Sequence, residues 1–351
     1  MPDAGRYAAD ALRSFCAQAL DRAGARADDA AACADGLIAA DLRGVHSHGA
    51  LRIGIYVDRL RAGSINPQAE PRTVREMGGV LVLDAQAGLG IAMAVRAMDL
   101  AIARARTHGV AVVSVRNGNH CGMLAHYAMR ALPGAIGVAA SNADSQVAPW
   151  GARAKFLGTN PLAVAVPTRE EPPIVLDMAT SVVAHARVKG AADRSESIPE
   201  GWGIDPQGLP TTDPAQAMAG ALLAFGGFKG SGISLLIDLL AGVLPGGRSG
   251  PEIGPLYQRL AEPQGVGHLF AALQLEAFAP PAEFTRRVDE TVRRIRALPP
   301  AAGAERALLP GELEFRRAAE YARDGIPLPS DAVAEIGRVA QLLGLETPKG
   351  R

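Results

Sequence analysis

The sequence predicts an α/β fold in which the two chain ends join as a helical unit around a central sheet-forming region. Three observations carry this. Short apolar runs alternate with helix-period segments through the middle of the chain, both ends are helical by period, and 351 residues exceed the size at which one hydrophobic core usually keeps growing. The expected division is an outer helical unit of residues 1–76 and 276–351, and an inner α/β unit of residues 77–275.

Taken in order, AADALRSFCAQALDRAG and DDAAACADGLIAADLRG, between Tyr7 and Leu42, set apolar residues at helical spacing with Asp and Arg between them, predicting two amphipathic helices. They lead into RGVHSHGALR (43–52). After Pro71 the pattern predicts a strand at Val80–Leu83, a helix at Ile91–Thr107, a strand at Val110–Val115 and a helix at Leu124–Ala131. Further strands are expected at Ala135–Ala140, Leu162–Val166 and Ile174–Leu176. PEGWGIDPQGLPTTDP (199–214) is a turn-rich connection, and the nearly continuous apolar character of Gly232–Leu244 predicts a buried helix. Arg248–Gly265 is rich in Pro and Gly and reads as a loop. His268–Leu275 returns to the sheet, and Glu283–Leu298, Glu312–Asp324 and Asp331–Leu343 are helical by period.

Lys+Arg 36 against Asp+Glu 36 leaves no net charge, and no basic block is present, which removes the electrostatic footprint of a nucleic-acid binder. A small neutral or anionic partner fits better. Cys16, Cys33 and Cys121 are far apart with no CxxC pair, a usage that suits a reducing cytoplasm and suggests neither a disulfide framework nor a thiolate zinc site. Neither a signal peptide nor an apolar run of membrane-spanning length is expected.

Site chemistry concentrates in RGVHSHGALR, NGNHCG (117–122), VAPWGARAKFLGTNPLAVAVP (147–167), VLDMATS (175–181) and FGGFKGSG (225–232). Each sets polar side chains beside glycine or proline, where the backbone turns sharply and approaches a ligand closely. A Rossmann fingerprint at Gly88 and Gly90 fails: Met93 stands at the third glycine, the first glycine lies five residues past the strand, and no carboxylate follows at ribose distance.

His46 and His48 alternate with Ser47, so in extended backbone both rings share a face, as two metal ligands can, with His120, Asp84 or Asp177 as a third. Alternatively, His48 exchanges a proton and the Arg52 fork takes a substrate carboxylate, which describes a site for a 2-oxo or 2-hydroxy acid. Against both stands a structural role, with Ser47 capping a helix and Arg52 solvated. His120 follows a strand through an Asn-Gly-Asn turn, at the carboxyl end where open α/β sheets bind ligands, and equally fits a structural role. Asp177, Thr180 and Ser181 either cap a helix or face a phosphate or ribose. Lys229 combines a cation with flanking glycines and a helix N-terminus, an anion site, unless the glycines only allow close packing.

In this order, from Asp41 to Leu328, DLRGVHSHGALR, the His120 turn, APWG, GTNPLAVAVP, LDMATS, IPEGWGIDPQGLPTTDP, FGGFKGSG, GHLF and PGE resemble the malate/L-lactate dehydrogenase family. Its members lack a Rossmann domain and include L-sulfolactate and ureidoglycolate dehydrogenases, 2,3-diketo-L-gulonate reductase and piperideine-2-carboxylate reductases. The resemblance implies a mixed-sheet domain binding NAD or NADP and a homodimer. It also implies catalytic roles for His48 and His120, substrate contacts from Ser47, Arg52 and Thr159, and dinucleotide contacts from Ser141, Asp177, Met178, Ala179 and Lys229. Departures are His46 for a common acidic residue, Gly118 for Ser, Ala152 for Gly, and Phe228 and Ser231 each for Tyr; Arg248–Gly265 matches poorly.

The expectation is therefore a cytoplasmic NAD(P)-dependent oxidoreductase moving hydride between nicotinamide and C2 of a 2-oxo or 2-hydroxy acid. Arg187, Lys189 and Arg116 are candidates to meet a 2′-phosphate. The alternatives are a reductase of a cyclic imine 2-carboxylate and, from another class, a metal-dependent hydrolase or lyase built on His46, His48 and His120.

Overall fold

The computed structural model describes residues 5–350; residues 1–4 and 351 of the expected outer unit lie outside the described residues. Strand β1 (Arg6–Tyr7) precedes helices α1 (Ala9–Arg22), α2 (Ala27–Leu42) and α3 (Ile53–Arg61), and two 3-10 turns, His46–His48 and Ala50–Arg52, lie between α2 and α3. Then come β2 (Arg72–Met77), β3 (Val80–Asp84), α4 (Gly90–His108), β4 (Val110–Gly118), the short α5 (Ala125–Ala128), β5 (Ala135–Ser141), β6 (Leu162–Val166) and β7 (Ile174–Met178). A lobe follows with α6 (His185–Asp193), β8 (Gly203–Ile204), α7 (Pro214–Ala219) and β9 (Ala221–Leu222). Helix α8 (Phe228–Asp238) leads through a π turn, Leu239–Val243, toward β10 (Val266–Gln274). The chain ends with α9 (Pro281–Arg296), α10 (Glu312–Asp324), β11 (Ile326–Pro327) and α11 (Ser330–Leu343).

Helix α1 shows why the ends are helical: Leu12, Phe15, Cys16, Ala19 and Leu20 are its buried residues, the three- and four-residue spacing of one apolar face. The two ends are tied directly, because Tyr7 pairs with Ile326 and Arg6 with Pro327.

The main sheet has seven strands in the order β2-β3-β4-β10-β5-β6-β7. Only β3 and β4 run parallel, joined by the α4 crossover, and every other neighbouring pair is antiparallel. One parallel pair cannot build the doubly wound halves of a Rossmann domain, so the sheet is mixed, as expected. The return strand expected at His268–Leu275 lies at the sheet centre, between β4 and β5.

Two expectations are corrected. The boundary at 76/77 falls inside β2, whose residues pair with β3 and so belong to the sheet. Nor do the helical ends form a separate body: one continuous core runs from Leu12, Leu37 and Ile53 through Ile91, Val113 and Phe270 to Ile336 and Val339. Secondly, the apolar segment Gly232–Leu244 is not buried all round. Its buried face is lined mostly by small or polar residues (Gly230, Ser231, Ser234, Asp238, Ala241, Gly242) with Ile237 among them, while Leu235, Leu236, Leu239, Leu240, Val243 and Leu244 are exposed. Continuous apolar character supplies two apolar faces, and the inner one is satisfied by small residues that let the π turn sit against Gly267 of β10. Among the described residues no helix is long and apolar enough to cross a membrane.

Candidate active site

Asp41 at the end of α2 sets the geometry of the first cluster. Its side chain is fully buried, with Oδ1 2.8 Å from His46 Nδ1 and Oδ2 accepting the Ala50 backbone N–H at 2.7 Å. A Cβ on Gly49 would overlap this carboxylate, so only glycine lets the chain cross it so closely. The clamp bends Ser47 and His48 into a 3-10 turn, and Arg52 Nε ties the turn by donating to the Ser47 carbonyl at 2.7 Å.

The turn separates the two histidines that an extended chain would place on one face. His46 faces Asp41 and stacks on Tyr321, whereas His48 stacks on His120 with ring centroids 5.5 Å apart and planes 21° from parallel. Among the described residues no group of three His, Cys, Asp or Glu side chains is arranged to hold a metal. The alternative in which His46, His48 and His120 converge on an ion does not fit this geometry, because helical backbone divides residues that alternate in sequence.

His120 follows β4 through the predicted turn. Asn117 takes a positive φ of 53° and donates to the Asp84 carboxylate, while Asn119 donates to the backbone carbonyls of Ala87 and Gly88, so both asparagines hold the turn. Gly90, opening α4, lies against the His120 carbonyl where a Cβ would not fit. The His120 N–H donates to Gln264 Oε1 at 3.0 Å, and Tyr56 Oη lies 2.7 Å from His120 Nδ1. The Gly122 N–H also points at that nitrogen, at 3.4 Å. An amide can only donate, so Nδ1 carries the lone pair, Tyr56 donates to it, and the neutral ring bears its proton on Nε2. Burial pushes the Tyr56 hydroxyl pKa far up, which keeps that proton on oxygen.

His48 Nδ1 meets only the Ser47 hydroxyl, at 2.9 Å, which rotates to donate or to accept. Burial first, and the Arg52 charge second, push His48 down to about 3. The same causes, with the neighbouring His48 and His268, hold His120 well below the ordinary imidazole range. Burial also pushes His126 and His268 down to about 4. An imidazole depressed in the folded state is protonated more readily in the unfolded chain, so its contribution is complete above the ordinary value of 6.5 and declines as pH falls toward its folded value. The melting temperature therefore drops between pH 7 and pH 5 by more than one titrating group explains, and scanning calorimetry across that range checks it.

Buried Arg52 holds the mouth of the cluster. One of its Nη groups donates to the Tyr257 hydroxyl, and the guanidinium lies 5.3 Å from the Tyr257 ring centroid. Tyr257 and Gln264 both come from the poorly matched loop, which buried Arg59 fixes by donating to the carbonyls of Pro255, Leu256, Gln258 and Glu262. Sequence reasoning missed Tyr56, Arg59, Tyr257 and Gln264. The spacing of Arg52, Tyr56 and Arg59 along a helix carried a signal for the first two; nothing in the loop marked the others.

A second cluster is strung together by backbone bonds. The Thr159 carbonyl accepts the Thr180 N–H at 2.8 Å and its hydroxyl at 3.0 Å, and Phe225 N–H donates to the Thr180 carbonyl at 3.0 Å, which ties the Lys229 segment to the Asp177-Met178-Ala179 run. Asp177 bridges toward His120 by accepting the Ala125 N–H at 2.7 Å. Its carboxyl reaches solvent on one side, and desolvation by the surrounding protein holds its pKa up to about 6 against the pull of that bond and Arg43. Ser141 sits behind the histidines, buried, its hydroxyl bonded to the Asn142 carbonyl and His268 Nδ1, each at 2.9 Å. Lys229 is exposed at the start of α8 and has no ion-pair partner among the described residues, and no side chain caps that helix. A cation beside uncapped amides and a helix N-terminus suits the phosphates of a dinucleotide.

A half-buried histidine pair thus stands beside a buried arginine in a non-Rossmann mixed sheet. A profile of the malate/L-lactate dehydrogenase family matches residues 7–337. The chain is 37% identical over 350 residues to a malate dehydrogenase of Pyrococcus abyssi, covering 97% of this chain and 96% of that one. It is 34% identical to a Delta(1)-pyrroline-2-carboxylate/Delta(1)-piperideine-2-carboxylate reductase of Pseudomonas putida over 95% of each chain. The solved sulfolactate dehydrogenase of Methanocaldococcus jannaschii superposes with a TM-score of 0.90 at 35% identity, covering 97% of this chain and 98% of that one. The chain belongs to the malate/L-lactate dehydrogenase family.

Proposed function

We propose that this protein is a nicotinamide-dependent oxidoreductase acting on a 2-oxo acid and its 2-hydroxy partner. The observation that carries the reading is the placement of two neutral imidazoles beside a buried arginine fork. Lys229 and the free amides of α8 would hold the dinucleotide phosphates, near the run through Asp177, Met178 and Ala179. Bound there, the nicotinamide supplies or accepts hydride at C4.

Arg52 fixes the substrate carboxylate, and Ser47 and Thr159 would join it in binding the substrate. His120, its Nε2–H directed by Tyr56 and Gly122, donates a hydrogen bond to the C2 oxygen. His48 exchanges the proton, because the rotating Ser47 hydroxyl serves either protonation state of its partner nitrogen. In the oxidative direction His48 is already neutral and accepts the hydroxyl proton. In the reductive direction a carboxylate on Arg52 cancels part of the charge that holds His48 neutral.

Two observations favour a second reading, a cyclic imine 2-carboxylate as substrate. One is the reductase relative, and the other is that both histidines rest unprotonated, which an already protonated iminium tolerates. Assay of NADH and NADPH oxidation with oxaloacetate or pyruvate, with and without methylamine, tests both: turnover without amine supports the oxo-acid reading, turnover only with amine supports the imine, and none in either overturns the proposal. NAD and NADP differ by a 2′-phosphate. Arg116 is paired with Asp84 and Lys189 with Asp193, which leaves Arg187, lying over Trp202, as the cation without a carboxylate. A loss of affinity confined to NADPH in Arg187→Ala would assign that contact.

The exposed Leu236, Leu239, Leu240 and Leu244 support a homodimer closed over this face, since single folded chains rarely leave such a contiguous apolar strip in water. Leu236→Glu with Leu240→Glu should give a monomer by light scattering, and an unchanged dimer would place the interface elsewhere.

A further inference from the structure

We infer that Tyr257 is a substrate-binding residue that completes the carboxylate clamp with Arg52, an inference that rests on the reading of Arg52 as the carboxylate site. A guanidinium offers five N–H hydrogens in a fixed fork. Nε of Arg52 is committed to the Ser47 carbonyl at 2.7 Å, which closes the side edge of the fork. An incoming carboxylate must therefore approach the end formed by the two Nη groups. One of these already donates to the Tyr257 hydroxyl, and the guanidinium carbon lies 5.3 Å from the Tyr257 ring centroid. The phenol oxygen accepts from Arg52, so its own hydrogen is left to donate, and it has no acceptor among the described residues. A carboxylate at the end of the fork takes an Nη–H and this O–H together. Accepting a bond from a cation strengthens the phenol as a donor.

The position of Tyr257 is built. Arg59, 1% exposed, bonds carbonyls on both sides of it, Leu256 at 2.8 Å, Gln258 at 3.2 Å and Glu262 at 3.0 Å. At the end of the same loop Gln264 holds the His120 N–H and also donates to the Gly254 carbonyl at 3.2 Å. Tyr257 itself is 60% exposed, open to a substrate arriving from solvent. One pinned loop thus supplies a donor to the substrate and the support for the His120 ring.

The experiment compares Tyr257→Phe and Arg52→Lys with the unaltered protein. It measures KM and kcat for the better of oxaloacetate and pyruvate, the Kd of the unreactive analogue oxamate in the presence of reduced nucleotide, and the Kd of that nucleotide alone. Tyr257→Phe keeps the ring and the loop and removes one donor to an anion. KM and the oxamate Kd should rise about tenfold, with a much smaller change in kcat and none in nucleotide affinity. A loosened loop would instead weaken His120 support and lower kcat. If Arg52→Lys weakens oxamate while Tyr257→Phe leaves KM and oxamate unchanged, the clamp is overturned and the Arg52 reading stands. If neither substitution affects oxamate, both fail; if Tyr257→Phe alone does, the shared clamp is overturned.

Discussion

Replacing His48 with alanine lowers the turnover of 2-oxo-acid reduction by about 100- to 10,000-fold, the range that a positioned acid or base supplies. The Kd for reduced nucleotide should stay near that of the unaltered protein, because the groups proposed to hold the dinucleotide lie on α8 and at the end of β7. His48 touches the Ser47 hydroxyl and the face of His120, and neither contact anchors the turn, which is tied by Asp41 and by Arg52. The loss is therefore chemical, and His48→Asn, which keeps a polar side chain of similar reach, should lose as much. His120→Asn should behave differently, raising KM together with the fall in kcat, because a lost hydrogen bond to the C2 oxygen affects the bound substrate as well as the reacting state. Equal, purely kcat-borne losses in both variants would reverse the assignment of the proton to His48. Steady-state kinetics with a nucleotide titration on each variant separates these outcomes.

Replacing Arg52 with lysine raises KM for the oxo acid by about 10- to 100-fold. The charge is kept, but the planar fork that offers an Nη–H to the carboxylate while bonding Tyr257 is lost. The fold should survive, since the clamp on the 3-10 turn retains Asp41 with its bonds to His46 and Ala50. Removing the guanidinium also removes the bond to the Ser47 carbonyl and the contact with Tyr257, so part of the loss reflects a looser mouth. The oxamate Kd, read by nucleotide fluorescence, isolates binding from chemistry. An Arg52→Lys protein that binds oxamate unchanged would show that the carboxylate lies elsewhere.

Much of the fold was legible because its elements carry strong period signals. The helix at Ile91–Thr107 and the strands around it announce a crossover, and Leu162–Val166 was placed to the residue. The failed glycine fingerprint correctly removed a Rossmann sheet. Local pattern does not encode which strands become neighbours, and the insertion of β10 between β4 and β5 depends on contacts across most of the chain. The same limit explains α8: its leucines are apolar whether they face a core or a second surface, and the packed face is the opposite one, carrying Gly230, Ser231, Ser234, Ile237 and Asp238.

In the site, His48 and Arg52 were legible from one short run, and His120 from its place after a strand. Their mutual placement was not. The alternative that paired His46 with His48 assumed extended backbone, and the buried Asp41 that bends the segment lies several residues upstream within a helix. Tyr257 and Gln264 were invisible for a different reason: loop residues act where the loop is pinned, and the pin is Arg59, far away in sequence.

The central claim is that one crevice holds a 2-oxo acid against a nicotinamide so that hydride passes directly to C2. Turnover with reduced nucleotide deuterated at C4, on the transferred face, followed by mass spectrometry and NMR of the product, tests it most directly. The account predicts one deuterium, bonded to C2 of the 2-hydroxy acid; a product formed without deuterium at that carbon would contradict it.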